Sequence, residues 1–342
     1  MNERPGNQLF DAYFTARDMR EVFCDQGRVQ AMLDFEAALA RAEARVGLIP
    51  HAAVAPIEAA CQAGHYDFAA LGEAIATAGN SAIPLVKALG KQIAASDAAA
   101  ERYVHLGATS QDVMDSGLVL QLRRALELID SDLAQLGETL ASQAQRYVAT
   151  PLAGRTWLQH ATPVTLGMKI AGWLGAVTRS RQRLQELKPR LLVLQFGGAS
   201  GTLAALGEQA IPVAQALAEE LQLTLPDQPW HTQRDRLVEF GSVLGLIAGS
   251  LGKLGRDISL LMQTEAAEVF EPAAPGKGGS STMPHKRNPV GAAVLIGAAT
   301  RVPGLVSTLF SAMPQEHERS LGLWHAEWET CLLYTSPSPR DS

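Results

Sequence analysis

The run from Gly276 to Pro289, GKGGSSTMPHKRNP, sets three glycines, two adjacent serines and the cations Lys277, Lys286 and Arg287 into a chain otherwise rich in Leu and Ala. Gly276, Gly278 and Gly279 open backbone conformations that other residues resist, so the segment can move and can aim amide N–H groups at an anion. It is a candidate lid over a negatively charged ligand. It is not a nucleotide-phosphate loop, because that pattern needs Ser or Thr directly after Gly-Lys and Gly278 follows Lys277. Alone, it would also read as a solvated basic turn.

Three further polar clusters accompany it. HLGATSQDVMDSG, from His105 to Gly117, precedes a long helical pattern, so Thr109, Ser110 and Asp112 fall at a helix start. One of them caps the helix, and the remaining hydroxyls and free N–H groups suit a carboxylate at the positive end of the helix dipole. GRTWLQHATP, from Gly154 to Pro163, also precedes a helical pattern, and QEHERS, from Gln315 to Ser320, offers Arg319.

The elements that must position these clusters are helices. Leu118, Leu122, Leu126, Ile129, Leu133, Leu136, Leu140 and Tyr147 recur at threes and fours in a stretch, Val113 to Tyr147, that holds no proline. Leu237, Phe240, Leu244, Ile247, Leu251, Leu254, Ile258 and Leu261 repeat the pattern. Gly241, Gly245, Gly249, Gly252 and Gly255 sit beside that second seam. Each weakens a helix by about 1 kcal/mol relative to Ala unless close helix approach compensates. A third helix is expected from about Val164 to Leu187, entered at Pro163 and stopped by Pro189, and a fourth follows Met32, Phe35, Leu39, Ala42 and Val46 to Gly47. No long run alternates with period two, which speaks against a sheet-based core. The fold class expected is all-α: an N-terminal helical domain over residues 1–112 and a bundle of long helices over 113–330.

Composition narrows the partners. The 342 residues are 47% hydrophobic, enough for a sizeable core. A formal net charge of -6 leaves no basic field for nucleic acid. Cys24, Cys61 and Cys331 have neither metal-site nor disulfide spacing, which fits a reduced cytoplasm with no metal and no cofactor. The N-terminus lacks the pattern of an export signal. Val290 to Met313 is apolar but interrupted by Arg301 and Pro303, and is expected to form a buried helix pair whose pieces are too short to span a membrane. The last residues, CLLYTSPSPRDS (331–342), resemble a translated library adapter, so a C-terminal domain and the natural continuation are expected to be missing.

Taken together, the clusters resemble the fumarase/aspartase superfamily. GSSTMPHKRNP, Gly279 to Pro289, matches its signature Gly-Ser-Ser-x-Met-Pro-x-Lys-x-Asn-Pro at every fixed position, and all four clusters occur in the family's order from about Leu9 to Thr330. The resemblance implies homotetramers with a central helical bundle and active sites shared by three subunits. It also implies that Ser280 carries the proton alpha to a substrate carboxylate. Removing such a proton leaves an aci-carboxylate whose charge needs fixed donors, a role that suits Lys286 and Asn288. A serine is a poor base unless amides and a nearby lysine stabilise its alkoxide. Ser281 either takes part or supports the turn, and His285 and Arg287, at variable signature positions, face solvent or support their neighbours.

The family's lyases carry Thr-His-x-Gln where this chain has Thr156, Trp157, Leu158 and Gln159, so the acid that protonates a departing amine or hydroxyl is absent. A substrate carboxylate, with a pKa near 4, can attack or leave without that acid. The resemblance, strongest to the lactone-forming branch, therefore implies ring closure of a small tricarboxylate. Trp157 would keep water off the lactone. His160 is a weak substitute acid, since in a helix it would point about 100 degrees away from Gln159. Three carboxylates call for His105, Thr109, Ser110, Lys286 and Arg319, with His105 equally readable as a buried hydrogen-bonded residue. Arg155 is open to an ion-pair role within the bundle and is assigned none. The rival readings are an eliminating lyase such as adenylosuccinate lyase, or a non-catalytic structural protein on the same scaffold.

Overall fold

The computed structural model describes residues 13–272, 276–283 and 285–334, without the side chains of 329 and 331–334. The described chain is helical apart from one hairpin. Its elements are α1 (Arg17–Phe23), α2 (Asp25–Arg45), α3 (Val54–Ala60), α4 (Phe68–Ala78), α5 (Ala82–Ala94), α6 (Ser110–Arg146), β1 (Pro151–Thr156), β2 (Gln159–Thr165), α7 (Leu166–Leu191), α8 (Ala210–Leu221), α9 (Asp235–Met262), α10 (Val290–Ala312) and α11 (Leu323–Tyr334).

The bundle is built on α6, about 55 Å long at 1.5 Å per residue. Its buried stripe is Leu122, Leu126, Ile129, Leu133 and Leu140, and the helix packs against α7. In turn α7 packs on α9, and α2 lies against both α6 and α8. The α9 seam is buried at Leu237, Phe240, Leu244, Ile247, Leu251, Leu254 and Leu261. Its glycines divide into two kinds. A Cβ on Gly252 would lie 2.2 Å from Ala299 Cβ, and one on Gly255 would lie 3.0 Å from Leu295 Cβ, so these two permit α10 to approach. Gly249 faces open space and has no such role.

Several sequence expectations need correction. Residues 151–165 form an antiparallel hairpin, with Pro151 opposite Thr165 and Thr156 opposite Gln159, where only the approach to a helix was expected. Helix α7 begins after Thr165, whose Oγ1 accepts from Met168 N at 3.1 Å, and runs through Pro189 to Leu191. The proline falls in the last turn, so one lost backbone bond does not end the helix. Likewise, Val290–Ala312 is one continuous helix through Pro303 and not a buried pair. By length and composition α9 and α10 could each cross a membrane; 61% of the apolar window in α9 is buried in the structure, against 11% in α10. Finally, α11 runs to Tyr334, four residues into the stretch read as a non-native tail; residues 335–342 of that tail lie outside the described residues.

Candidate active site

Thr109 is the N-cap of α6, and its amide donates to Asp112 Oδ2 at 3.0 Å. Asp112 is fully buried and saturated. Its Oδ1 accepts from Gln195 Nε2 (3.0 Å) and Gly197 N (3.0 Å) and lies 2.8 Å from His231 Nε2, while Oδ2 also accepts from Gly198 N at 2.8 Å. This carboxylate has no capacity left for a ligand; it pins the glycine turn at 197–198 to the helix start. Gly198, at φ +67, brings that turn so close to the 105–109 loop that a Cβ would sit 3.0 Å from Gly107 O.

With Asp112 occupied, the two hydroxyls beside it remain for chemistry. Arg319 meets both: Nη1 donates to Thr109 Oγ1 at 2.7 Å, Nη2 to Ser110 Oγ at 3.0 Å, and Nε to Gln111 Oε1 at 3.4 Å. Each hydroxyl spends a lone pair on the guanidinium, so its own proton is available to an incoming acceptor. The result is a half-buried cradle of two O–H donors backed by a cation, suited to a carboxylate. The loop carrying Arg319 is fastened on both sides. Thr232 Oγ1 donates to His317 O at 2.8 Å, and Gln315 Nε2 donates to Glu327 Oε1 at 2.8 Å. Glu327 belongs to a buried triad in which Arg234 also binds Asp115, with contacts of 2.6 Å to each carboxylate. Burial opposes the Arg234 charge, but the two carboxylates outweigh it and raise its pKa. A cavity of about 250 Å³, lined by Met32, Leu71, Leu85, Leu118 and Trp324 together with the triad itself, contains none of the sequence-predicted site residues.

His105, four residues before Thr109, is turned inward: its Nδ1 lies 2.5 Å from Glu36 Oε1 of α2. Sequence reading left this residue between substrate donor and buried hydrogen-bonded histidine, and it missed Glu36 altogether. One signal was present. Glu36 lies four residues after Met32, on the apolar stripe of α2, where a charged residue asks for a partner.

The signature loop stands apart from this cradle. Ser280 Oγ accepts from Met283 N at 3.1 Å and Thr282 N at 3.4 Å, so the amides that would stabilise its alkoxide follow the serine and do not come from the glycines before it. Asn288 N donates to Gly278 O at 2.9 Å, and a Cβ on Gly278 would lie 2.5 Å from Asn288 O, which requires glycine there. Ser281 and Lys286 are exposed. Arg287 is not a bystander: it donates to Glu271 O at 2.8 Å and lies over the Phe270 ring, holding the loop's base. Pro284 of the signature is outside the described residues.

The third group, Thr156, Trp157 and Gln159, is at the hairpin tip. Trp157 and Leu158 form the two-residue turn with φ of +54 and +63, conformations that side chains with a Cβ adopt at a cost of about 1 kcal/mol or more each. Trp157 is 95% exposed. His160 pairs across the hairpin with Arg155, on a strand, so it alternates faces with Gln159 and the helical argument for it does not apply. Arg155, whose role the sequence leaves open, forms an ion pair to Glu268 at 2.7 and 2.9 Å, tying the hairpin to the segment that leads into the signature loop. Among the described residues no hydrogen bond or ion pair joins the cradle, the hairpin tip and the loop to one another.

A family model described as Lyase matches residues 12–304. The chain belongs to the lyase family of the fumarase/aspartase superfamily. Within this family it is similar to 3-carboxy-cis,cis-muconate cycloisomerase of Pseudomonas aeruginosa, at 80% identity over 96% of this chain and 72% of that protein. It is also similar to nitrosuccinate lyase of Streptomyces davaonensis, at 43% identity over 89% of this chain and 66% of that protein. The crystal structure of 3-carboxy-cis,cis-muconate lactonizing enzyme from Pseudomonas putida superposes with a TM-score of 0.93 at 77% identity, covering 96% of this chain and 73% of that one. The fold is therefore that of the lyase family, all-α as expected.

Proposed function

We propose that the chain is a cycloisomerase that interconverts 3-carboxy-cis,cis-muconate and 4-carboxymuconolactone, the ring closure of protocatechuate breakdown in the β-ketoadipate pathway. The observation that carries the reading is Trp157 in the place of the lyases' acid histidine, on a chain 80% identical to a protein of that name. In the forward direction a substrate carboxylate oxygen bonds to the ring-closing carbon. The π electrons move to the neighbouring carbon and into its carboxylate, and Ser280 delivers a proton to that carbon. In reverse Ser280 removes the proton and the lactone oxygen leaves as a carboxylate.

Thr109, Ser110 and Arg319 hold one carboxylate, Lys286 and Asn288 hold the aci-carboxylate, and Trp157, with Thr156 and Gln159, closes the site to water. Ser281 supports the turn around Ser280. No step calls for a metal or cofactor.

In this reading the protein works as a homotetramer whose sites draw on three copies. Its support is that the cradle, the hairpin tip and the loop are separate within one chain, that a 95% exposed indole crowns a strained turn, and that the apolar helix α10 is largely uncovered. The setting is cytoplasmic, in keeping with the free thiols of Cys24 and Cys61.

The test is to incubate the protein with 3-carboxy-cis,cis-muconate and follow its ultraviolet absorbance, which falls as conjugation is lost. Unchanged absorbance alongside cleavage of adenylosuccinate would replace this reading with an elimination. Trp157→His alone should not confer that cleavage.

A further inference from the structure

The buried face of α2 carries two carboxylic side chains, Glu36 and Glu43, 2% and 0% exposed and two helical turns apart. Such groups are almost never buried without a partner. Among the described residues only one of their four oxygens has one: Glu36 Oε1, at 2.5 Å from His105 Nδ1. Burial, and then the charge of Glu36, pushes the Glu43 pKa up to about 9, so Glu43 is neutral at pH 7. The Glu36–His105 contact is thus the charged pair of this face.

His105 is built for one orientation. Its backbone is left-handed, at φ +58, a conformation uncommon for residues with a Cβ, though histidine adopts it more readily than most. Its imidazole is 18% exposed, and Nε2 has no partner among the described residues. Burial alone would lower its pKa, but the charge and hydrogen bond of Glu36, with the charge of Asp112, outweigh that effect and raise it. The ionisable groups that bear on the pair are Glu36 and Glu43 of α2, Asp112 of α6, and Cys61, whose thiol burial keeps protonated.

We propose that Glu36 is a positioning residue: it clamps Nδ1–H of His105 so that the imidazolium offers Nε2–H to a second carboxylate of the substrate bound at the Thr109–Ser110–Arg319 cradle. The proposal rests on reading that cradle as the substrate anchor. It explains why a carboxylate is buried in the apolar stripe of α2, and why the loop ahead of Thr109 is held in a left-handed conformation. A tricarboxylate has three anionic groups, and Arg319 with its two hydroxyls accounts for one and Lys286 with Asn288 for the aci-carboxylate, which leaves one without a cationic partner.

Two measurements on the full chain test it. The first is an NMR titration of His105, assigned by the signal lost in His105→Gln. The midpoint should lie above 6.5 in the parent protein and fall below it in Glu36→Gln, which keeps the side-chain shape and removes the charge. The charge-conserving Glu36→Asp should keep the midpoint raised. The second is steady-state kinetics with 3-carboxy-cis,cis-muconate, where Glu36→Gln should raise KM about tenfold at pH 8, more than it lowers kcat, with a smaller deficit at pH 6. Equal midpoints in the parent and Glu36→Gln, or equal damage from Asp and Gln, would overturn the proposal. So would a KM unchanged at both pH values. If the parent turns over no muconate, the functional reading fails while the titration still decides whether Glu36 governs His105.

Discussion

Glu43 gives a stability prediction whose size follows from its surroundings. Among the described residues its two oxygens are buried without partners, and burial pushes its pKa up to about 9 against 4.5 for an exposed glutamate. A carboxyl whose folded pKa is raised contributes its full stability below the unfolded pKa, and that contribution is lost as pH rises toward the folded value. From pH 4.5 to pH 7 the unfolded chain releases the proton while the folded chain keeps it. That is 2.5 pH units at about 1.36 kcal/mol each, or about 3 kcal/mol of stability lost by pH 7. Glu43→Gln removes the titration and keeps the shape; the cost of its own unpartnered amide does not vary with pH. Urea unfolding of both proteins, followed by circular dichroism at pH 4.5, 5.5 and 7, should show the stability difference moving by about 3 kcal/mol in favour of Gln across that range. A difference that stays constant with pH would mean that the buried carboxyl does not hold its proton, and the reasoning about this face of α2 would be wrong.

Other substitutions probe the remaining parts of the account. Arg319→Ala should raise KM about 10- to 150-fold in steady-state assays, the loss expected for charge-assisted bonds of roughly 1.5–3 kcal/mol; Lys should rescue poorly, because it cannot reach both hydroxyls with a fixed fork. Arg234→Met strands two buried carboxylates and should cost about 3–5 kcal/mol in chemical unfolding. Gly252→Ala forces α9 and α10 apart and should destabilise by about 1–3 kcal/mol, whereas Gly249→Ala, into open space, should stabilise by up to about 1 kcal/mol; thermal melts of the two variants side by side decide this.

The long helices are legible because their apolar residues repeat at threes and fours over many turns, as from Leu237 to Leu261, and that burial outweighs the glycines beside the seam. The hairpin is not. Its turn is Trp-Leu in place of the Asn-Gly that usually marks a two-residue turn, and Pro163 in β2 imitates a helix entry. Pro189 and Pro303 mislead in the same way: Pro189 falls in the last turn of α7, and Pro303 lies inside α10, whose packing on α9 carries the helix across the lost bond. At the site, residue chemistry marks Thr109, Ser110 and Arg319 as candidates, but their meeting across more than two hundred residues is a tertiary fact. The saturation of Asp112 and the pairing of Glu36 with His105 depend equally on elements brought together only by folding.

The most direct measurement is to run the reaction with 3-carboxy-cis,cis-muconate in deuterated water and examine the product by NMR, for the parent protein and for Ser280→Ala. The account predicts a lactone carrying one deuteron on the carbon alpha to a carboxylate from the parent protein, and unreacted muconate with the alanine variant. Lactone formed at the parent rate by Ser280→Ala would contradict it.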